Sequence, residues 1–248
     1  ADQGKTLQQQ LTYEPKTAQA GEGVATDKAY DPIVYGEWYQ WGRKKDGHED
    51  RRKSVTNSSY LSSAGGVGVV ADSLDASGQI KDNLPAISGK FIQRNAGTSD
   101  WRQYPETAEN SAGAPTNDWT WGNPALNPCK NSSALEHDGN NWRVPTLAEW
   151  AQIQSNNTWV WQDGGANGTS GYQLKPGGMN KPTSLFLSAA GGRARSGGAQ
   201  LNVGYNGYYW STTTTGTNSY ALGFAIGSIT VASTNNRAGG LTVRCVSE

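Results

Sequence analysis

Ten tryptophans and eleven tyrosines stand in a chain that is otherwise polar and rich in glycine, and no other sequence feature constrains the fold more. Apolar residues make up 35% of the 248, below the usual share for a folded domain. A core must then be assembled from few, large side chains, each burying on the order of 150–250 Å2. Glycine adds a second constraint, because its 32 residues are nearly double the ordinary share. They show no three-residue period, which excludes a collagen-type helix. Aromatic anchors joined by tight turns and irregular loops are the expected result.

Charge narrows the partners. Lys plus Arg and Asp plus Glu both total 21. A nucleic-acid binder needs a basic excess on one face to neutralise phosphate, so none is expected. A polybasic membrane-surface protein is excluded on the same ground. No run of 18 apolar residues exists, and the longest small-apolar stretch, 64–71, is too short and too glycine-rich to span a bilayer.

Along the chain, residues 1–27 are polar and read as an arm or a single edge strand. Residues 28–248 read as one domain with an inserted loop region at about 54–125, rich in Ser, Gly, Asn and Thr and punctuated by Trp101, Trp119 and Trp121. A dense aromatic cluster, Tyr35 to Arg43, suggests a strand or short helix set into a core. The charge run from Arg43 to Lys53 reads as a solvated loop. Thr146 and Glu149 form a capping box, and Leu147, Trp150 and Ile153 recur on one helical face, so a helix is predicted over 145–154, ended by Asn156-Asn157. Asn141 to Val144 reads as an extended entry to it. After residue 180 the pattern is strands. Leu185-Phe186-Leu187 is a compact apolar run, and Gly207 to Thr212 is aromatic and β-prone. From Ser219, the large residues Tyr220, Leu222, Phe224 and Ile226 alternate with small ones. Leu241, Val243 and Cys245 share one face of the last strand. The predicted class is α+β: an antiparallel sheet, one or two helices, and long irregular Gly/Asn/Ser-rich loops.

Chemistry-bearing residues are sparse. Cys129 and Cys245 are compatible with one disulfide or with two buried thiols. His48 and His137 lack a metal-ligand neighbour at i+2 or i+4 and read as surface residues. Asp46, Glu49 and Asp50 fall in the charge run, while Asp138-Gly139 and Asp163-Gly164-Gly165 read first as turns, with calcium ligation the minor alternative. No Gly-x-Ser-x-Gly elbow, P-loop, dinucleotide fingerprint or EF-hand loop occurs. No catalytic residue, metal site or cofactor is assigned.

Four separate motifs resemble one family. They are Trp38-Tyr39-Gln40-Trp41-Gly42-Arg43; Asn127-Pro128-Cys129 with Asn141-Trp142-Arg143-Val144-Pro145-Thr146 and Glu149-Trp150; Gly207-Tyr208-Tyr209-Trp210-Ser211-Thr212; and Gly240 to Val246. In order, over residues 28–248, they are similar to the Fibrobacter succinogenes major paralogous domain, whose members have a C-type-lectin-like fold. The stretch from Lys130 to Asn140 is an insertion relative to that pattern. The resemblance implies a Cys129–Cys245 disulfide and core roles for Trp142, Trp150 and Trp210.

Some proteins of this fold are variable proteins of diversity-generating retroelements, in which adenine-directed mutagenesis diversifies a C-terminal segment on a fixed backbone. Residues 201–244 look like such a segment. The positions filled by its substitution set are Tyr205, Asn206, Thr213, Thr214, Thr215, Thr217, Asn218, Ala225, Gly227, Ser228, Thr230, Ala232, Thr234, Asn235, Asn236 and Ala238. The resemblance implies a binding surface for an unidentified protein or glycan, displayed extracellularly on a cell surface, pilus tip or phage particle. Its hot spots would be Tyr205, Asn206, Asn218, Asn235 and Asn236. Two other functions compete. A non-diversified surface or carbohydrate-binding domain shares the fold, although the Glu-Pro-Asn and Gln-Pro-Asp tripeptides of calcium-dependent lectins do not occur. A formylglycine-generating type of enzyme shares it too, but uses a close pair of active-site cysteines.

Overall fold

Alternating side chains build the strands of this protein, and one capped turn starts its helix. The structure, a computed structural model, describes residues 35–43, 45–53, 61–63, 89–93, 127–129, 142–164, 169–177, 185–215 and 218–247. The strands are β1 (Trp38–Gln40), β2 (Leu61–Ser63), β3 (Phe91–Gln93) and β4 (Trp142–Arg143), then the helix α1 (Leu147–Ser155). There follow β5 (Asn157–Gln162), β6 (Gly171–Pro176), β7 (Leu185–Ser188), β8 (Gly192–Arg193) and β9 (Gln200–Leu201). The long strands β10 (Asn206–Thr215), β11 (Asn218–Ala225) and β12 (Ser228–Asn236) precede β13 (Gly240–Thr242) and β14 (Val246–Ser247). The class is α+β and mostly sheet, with α1 the one helix among the described residues. The arm at 1–27, Trp101, Trp119, Trp121, His137, Asp138, the 130–140 insertion, Gly165, Thr217 and most of 54–125 lie outside the described residues.

The main sheet runs β12-β11-β10-β13-β8-β9, with β1 also paired to β13. Its pairings are antiparallel except β10 with β13, which meet in parallel at Tyr209 and Thr242. β5-β6-β7 form a second antiparallel sheet, and β14 pairs with β4. The capping box is present: Thr146 Oγ1 accepts from the Glu149 N–H, and the Glu149 carboxylate accepts from the Thr146 N–H. Arg143 grips the same carboxylate through both terminal nitrogens, at 2.8 and 2.7 Å. That grip first, then the cap, lowers the Glu149 pKa to about 2.

Two apolar clusters flank β10 and β11, as period-two alternation requires. Trp210 and Ala221 point into one with Tyr39, Trp41, Val144, Leu241, Val243 and the Cys129–Cys245 disulfide. Tyr209, Leu222 and Phe224 point into the other with Trp150, Tyr172, Leu174 and Leu187. Trp150 and Trp210 are fully buried and Trp142 is half-buried against the first cluster. The disulfide expected from the resemblance is therefore formed, and the two-thiol alternative is not.

Two expectations are corrected. The charge run is not solvated: Arg43, His48, Glu49 and Arg51 are buried. Arg43 is paired with Asp46 at 2.6 Å, and the terminal nitrogens of Arg51 donate to the carbonyls of Gly36 and Ala190. The Arg51 guanidinium also lies 4.1 Å from the Trp38 ring, a position that offsets its desolvation. His48, expected at the surface, is enclosed with them. The second correction is Ile226. It does not continue the buried row of Leu222 and Phe224, because the strand ends at Ala225 and Ile226 stands in the following turn, 71% exposed.

Candidate functional site

The turn between β11 and β12 is held from below. Gly227 takes a left-handed conformation, φ 76°, which closes a two-residue hairpin between the paired Ala225 and Ser228. Its N–H donates to the Tyr172 hydroxyl at 3.0 Å, and that hydroxyl donates to the Ala225 carbonyl at 3.3 Å. Tyr172 is fixed in turn by edge-on contacts with Trp159, Trp161 and Phe224. Gly207 lets the Phe224 ring lie against the β10 backbone, where a methyl group would fall within the ring.

Above this aromatic base the register aligns rows of residues that end in exposed positions of β12. Asn206, Ala225 and Ser228 stand opposite one another across three strands, and Tyr208, Gly223 and Thr230 form the next row. Tyr205 and Ile226 flank the first row at the strand ends, 75% and 71% exposed. Tyr205 belongs to a tight turn in which its own N–H and that of Asn206 both donate to the Asn202 carbonyl. Along β12, Ser228, Thr230, Ala232 and Thr234 are exposed while Ile229 and Val231 pack on the second cluster. Six of the expected positions are thus presented to solvent: Tyr205, Gly227, Ser228, Thr230, Ala232 and Thr234.

The others serve the frame in part. Asn206, Thr213, Thr214, Thr215, Asn218, Ala225, Asn235 and Asn236 are half-buried. Thr213 Oγ1 accepts from the Leu147 N–H at the start of α1. Asn236 Oδ1 accepts from Arg195, and the Asn235 amide donates to Ser233. Strict alternation along β11 sets Asn218 and Ala225 on opposite faces of the sheet, so the expected positions do not make one patch. Ala238 is a correction: it is fully buried, because the chain turns inward there to enter β13, and its carbonyl accepts from Gln40 at 2.8 Å. Ile226, missed by the sequence reading, is the complement. The signal that could have found it is the glycine that follows, which marks a hairpin turn.

A second cluster, Asp46, His48 and Glu49, brings its potential ligand atoms within 4.8 Å of one another. Those atoms are already engaged. His48 Nε2 accepts from the Gln40 N–H at 3.1 Å, which leaves the proton on Nδ1, 2.6 Å from Asp46 Oδ1. Glu49 Oε2 accepts from the Gly47 N–H at 2.8 Å. Burial, then the Arg43 charge, lowers the His48 pKa and favours the neutral ring. Burial works to raise the Asp46 carboxyl, but His48 and Arg43 together outweigh it and hold it well below the usual carboxylate range. These internal hydrogen bonds make the cluster a lock on the β1 connection. The described end of the β5 turn places Asp163 at the surface, within 3.4 Å of Ser170 Oγ.

No family model, curated protein or solved structure matches this chain.

Proposed function

We propose that this chain is a ligand-binding module that displays a variable surface on a C-type-lectin-like scaffold, as a member of the Fibrobacter succinogenes major paralogous domain family and a variable protein of a diversity-generating retroelement. It acts outside the cell, on a cell surface, pilus tip or phage particle. One observation carries the reading: Ser228, Thr230, Ala232 and Thr234 are exposed along β12, while Ile229 and Val231 of the same strand pack on the second cluster. Such positions can change without touching the core, while the backbone beneath them stays in place. Tyr205 and Ile226 supply the large, exposed anchors that binding energy usually depends on. A disulfide suits an oxidising compartment, and no described helix is long and apolar enough to cross a membrane. The joining of the chain's only two cysteines weighs against formylglycine-type chemistry, which needs them free.

A fixed binding surface on the same scaffold is the second reading. The placement of Asn218 and Ala225 on opposite faces favours it, because a diversified patch is most useful when contiguous. The flanking DNA separates the two readings. A reverse transcriptase gene and a near-copy of the 3′ coding region, differing only at adenines, are expected; absence of both leaves the fixed surface. A displayed library varied at Ser228, Thr230, Ala232 and Thr234 is expected to keep unfolding free energies within ~0.5 kcal/mol of the parent. Ala238→Tyr, which overpacks a sealed site, is expected to lose several times that. Equal losses at both would remove the surface argument.

A further inference from the structure

We propose that Arg51 is a positioning residue for the turn that displays Tyr205, acting through the segment Ala189 to Gly191 that joins β7 to β8. The inference rests on the reading of that turn as part of a binding surface. Leu201, Tyr205 and Ile226 are the large apolar side chains exposed among the described residues, and they converge at one end of the main sheet. Leu201 closes β9, Tyr205 follows four residues later, and Ile226 adjoins Tyr205 because Asn206 and Ala225 are paired. An aromatic anchor contributes most when its backbone is already fixed, since ordering it on contact costs affinity. Tyr205 is three-quarters exposed, so its direction is set by the turn that carries it.

That turn is fixed from within and from behind. Within it, Asn202 takes a left-handed conformation, φ 55°, and its carbonyl accepts the Tyr205 and Asn206 N–H groups at 3.1 and 3.0 Å. Asparagine is one of the few residues besides glycine that tolerate this conformation. From behind, the Ala189 carbonyl accepts the Gly204 N–H at 2.8 Å, and the Gly191 N–H donates to the Asn206 carbonyl at 2.7 Å. Gly191 lies so close to the turn that a methyl group on it would collide with the Leu201 carbonyl. The peptide between these two contacts is gripped by other residues. The Ala190 carbonyl accepts from the Arg51 guanidinium at 2.9 Å and from Trp38 Nε1 at 3.1 Å. Arg51 is itself held, by the Gly36 carbonyl at 2.9 Å and by the rings of Trp38 and Tyr35. Ala189 and Ala190 are fully buried, so a carbonyl that loses Arg51 keeps Trp38 as its donor and is no longer drawn toward a charge. The freedom gained at Ala190 passes through Ala189 and Gly191 to Gly204 and Asn206. The Ile226 turn hangs instead from the Tyr172 hydroxyl, which makes it an internal reference.

Amide hydrogen exchange tests it, on the full chain with its disulfide intact. Arg51→Met keeps much of the apolar stem and loses the donors. In that variant the Gly204 and Asn206 amides are expected to exchange at least about tenfold faster relative to the Gly227 amide, the scale of one charged hydrogen bond. Arg51→Lys, which keeps the charge and a donor, is expected to restore part of that protection. A merely structural role speeds all three amides by one common factor, because they then exchange through the same global opening, and that result overturns the proposal. So does an unchanged Gly204 rate. If the methionine variant does not fold, the lysine variant decides by the same ratio: a rise at Gly204 over Gly227 supports the positioning role, and no rise overturns it. No ligand enters the measurement, so its failure removes the positioning role and leaves the reading of the surface untouched.

Discussion

Arg51 shows how a chain short of aliphatic side chains fills its interior. Its guanidinium lies on Trp38 and near Tyr35, Arg193 approaches Trp38 and Phe91, and Arg237 covers Trp41 at 4.6 Å. A guanidinium is weakly hydrated and planar, and a desolvated cation on an indole is worth about 2 kcal/mol. Tryptophan thus supplies both the apolar area and the sites that make buried charge tolerable. The Glu37 carboxylate, beside Arg51, accepts from the Arg51 N–H. Burial, then the Asp50 charge, raises its pKa from 4.5 to about 7. The folded state therefore holds a proton that the unfolded chain has released, and stability falls as pH rises between those two values. Glu37→Gln should abolish a loss on the order of 2–3 kcal/mol across that window. Unfolding free energies measured from pH 4 to 8 check it, and a wild-type profile no steeper than the variant's would refute the assignment. The charge run reads as solvated because each residue in it is hydrophilic. The carbonyl of Ala190, which satisfies Arg51, is 139 residues away and leaves no local trace.

Secondary structure was more legible than burial. The helix is found where Thr146, Glu149 and the Leu147/Trp150/Ile153 spacing place it, since a cap and a helical face are set by residues within two turns. The β11 alternation is also found, and both its faces are covered: Ala221 and Gly223 are as buried as Leu222 and Phe224. The turn that follows owes its geometry to Tyr172 on a different sheet. Tyr172→Phe keeps the ring packing and removes both hydrogen bonds to residues 225–227. We expect a cost of about 1–2 kcal/mol and faster hydrogen exchange at the Gly227 amide. Unchanged exchange there would mean the turn stands without the hydroxyl.

In the molecule as a whole, the disulfide closes 116 residues of sequence onto the Trp41–Trp210 cluster. Chain-entropy arguments value such a closure at about 4–5 kcal/mol. Cys245→Ser should lower the unfolding free energy by a few kcal/mol, and an unaltered melting temperature would deny the bridge a stabilising role. The identity of the anchors was readable from residue type, because an indole in a polar chain has few other places to go. So were the helix start and the strand alternation, which depend on nearest neighbours along the chain. Three outcomes were not readable: Arg51 sealed beneath Trp38, Ile226 left in solvent, and Ala238 enclosed among otherwise interchangeable small residues. Each depends on which distant strand lies against it, and local composition carries no record of that distance.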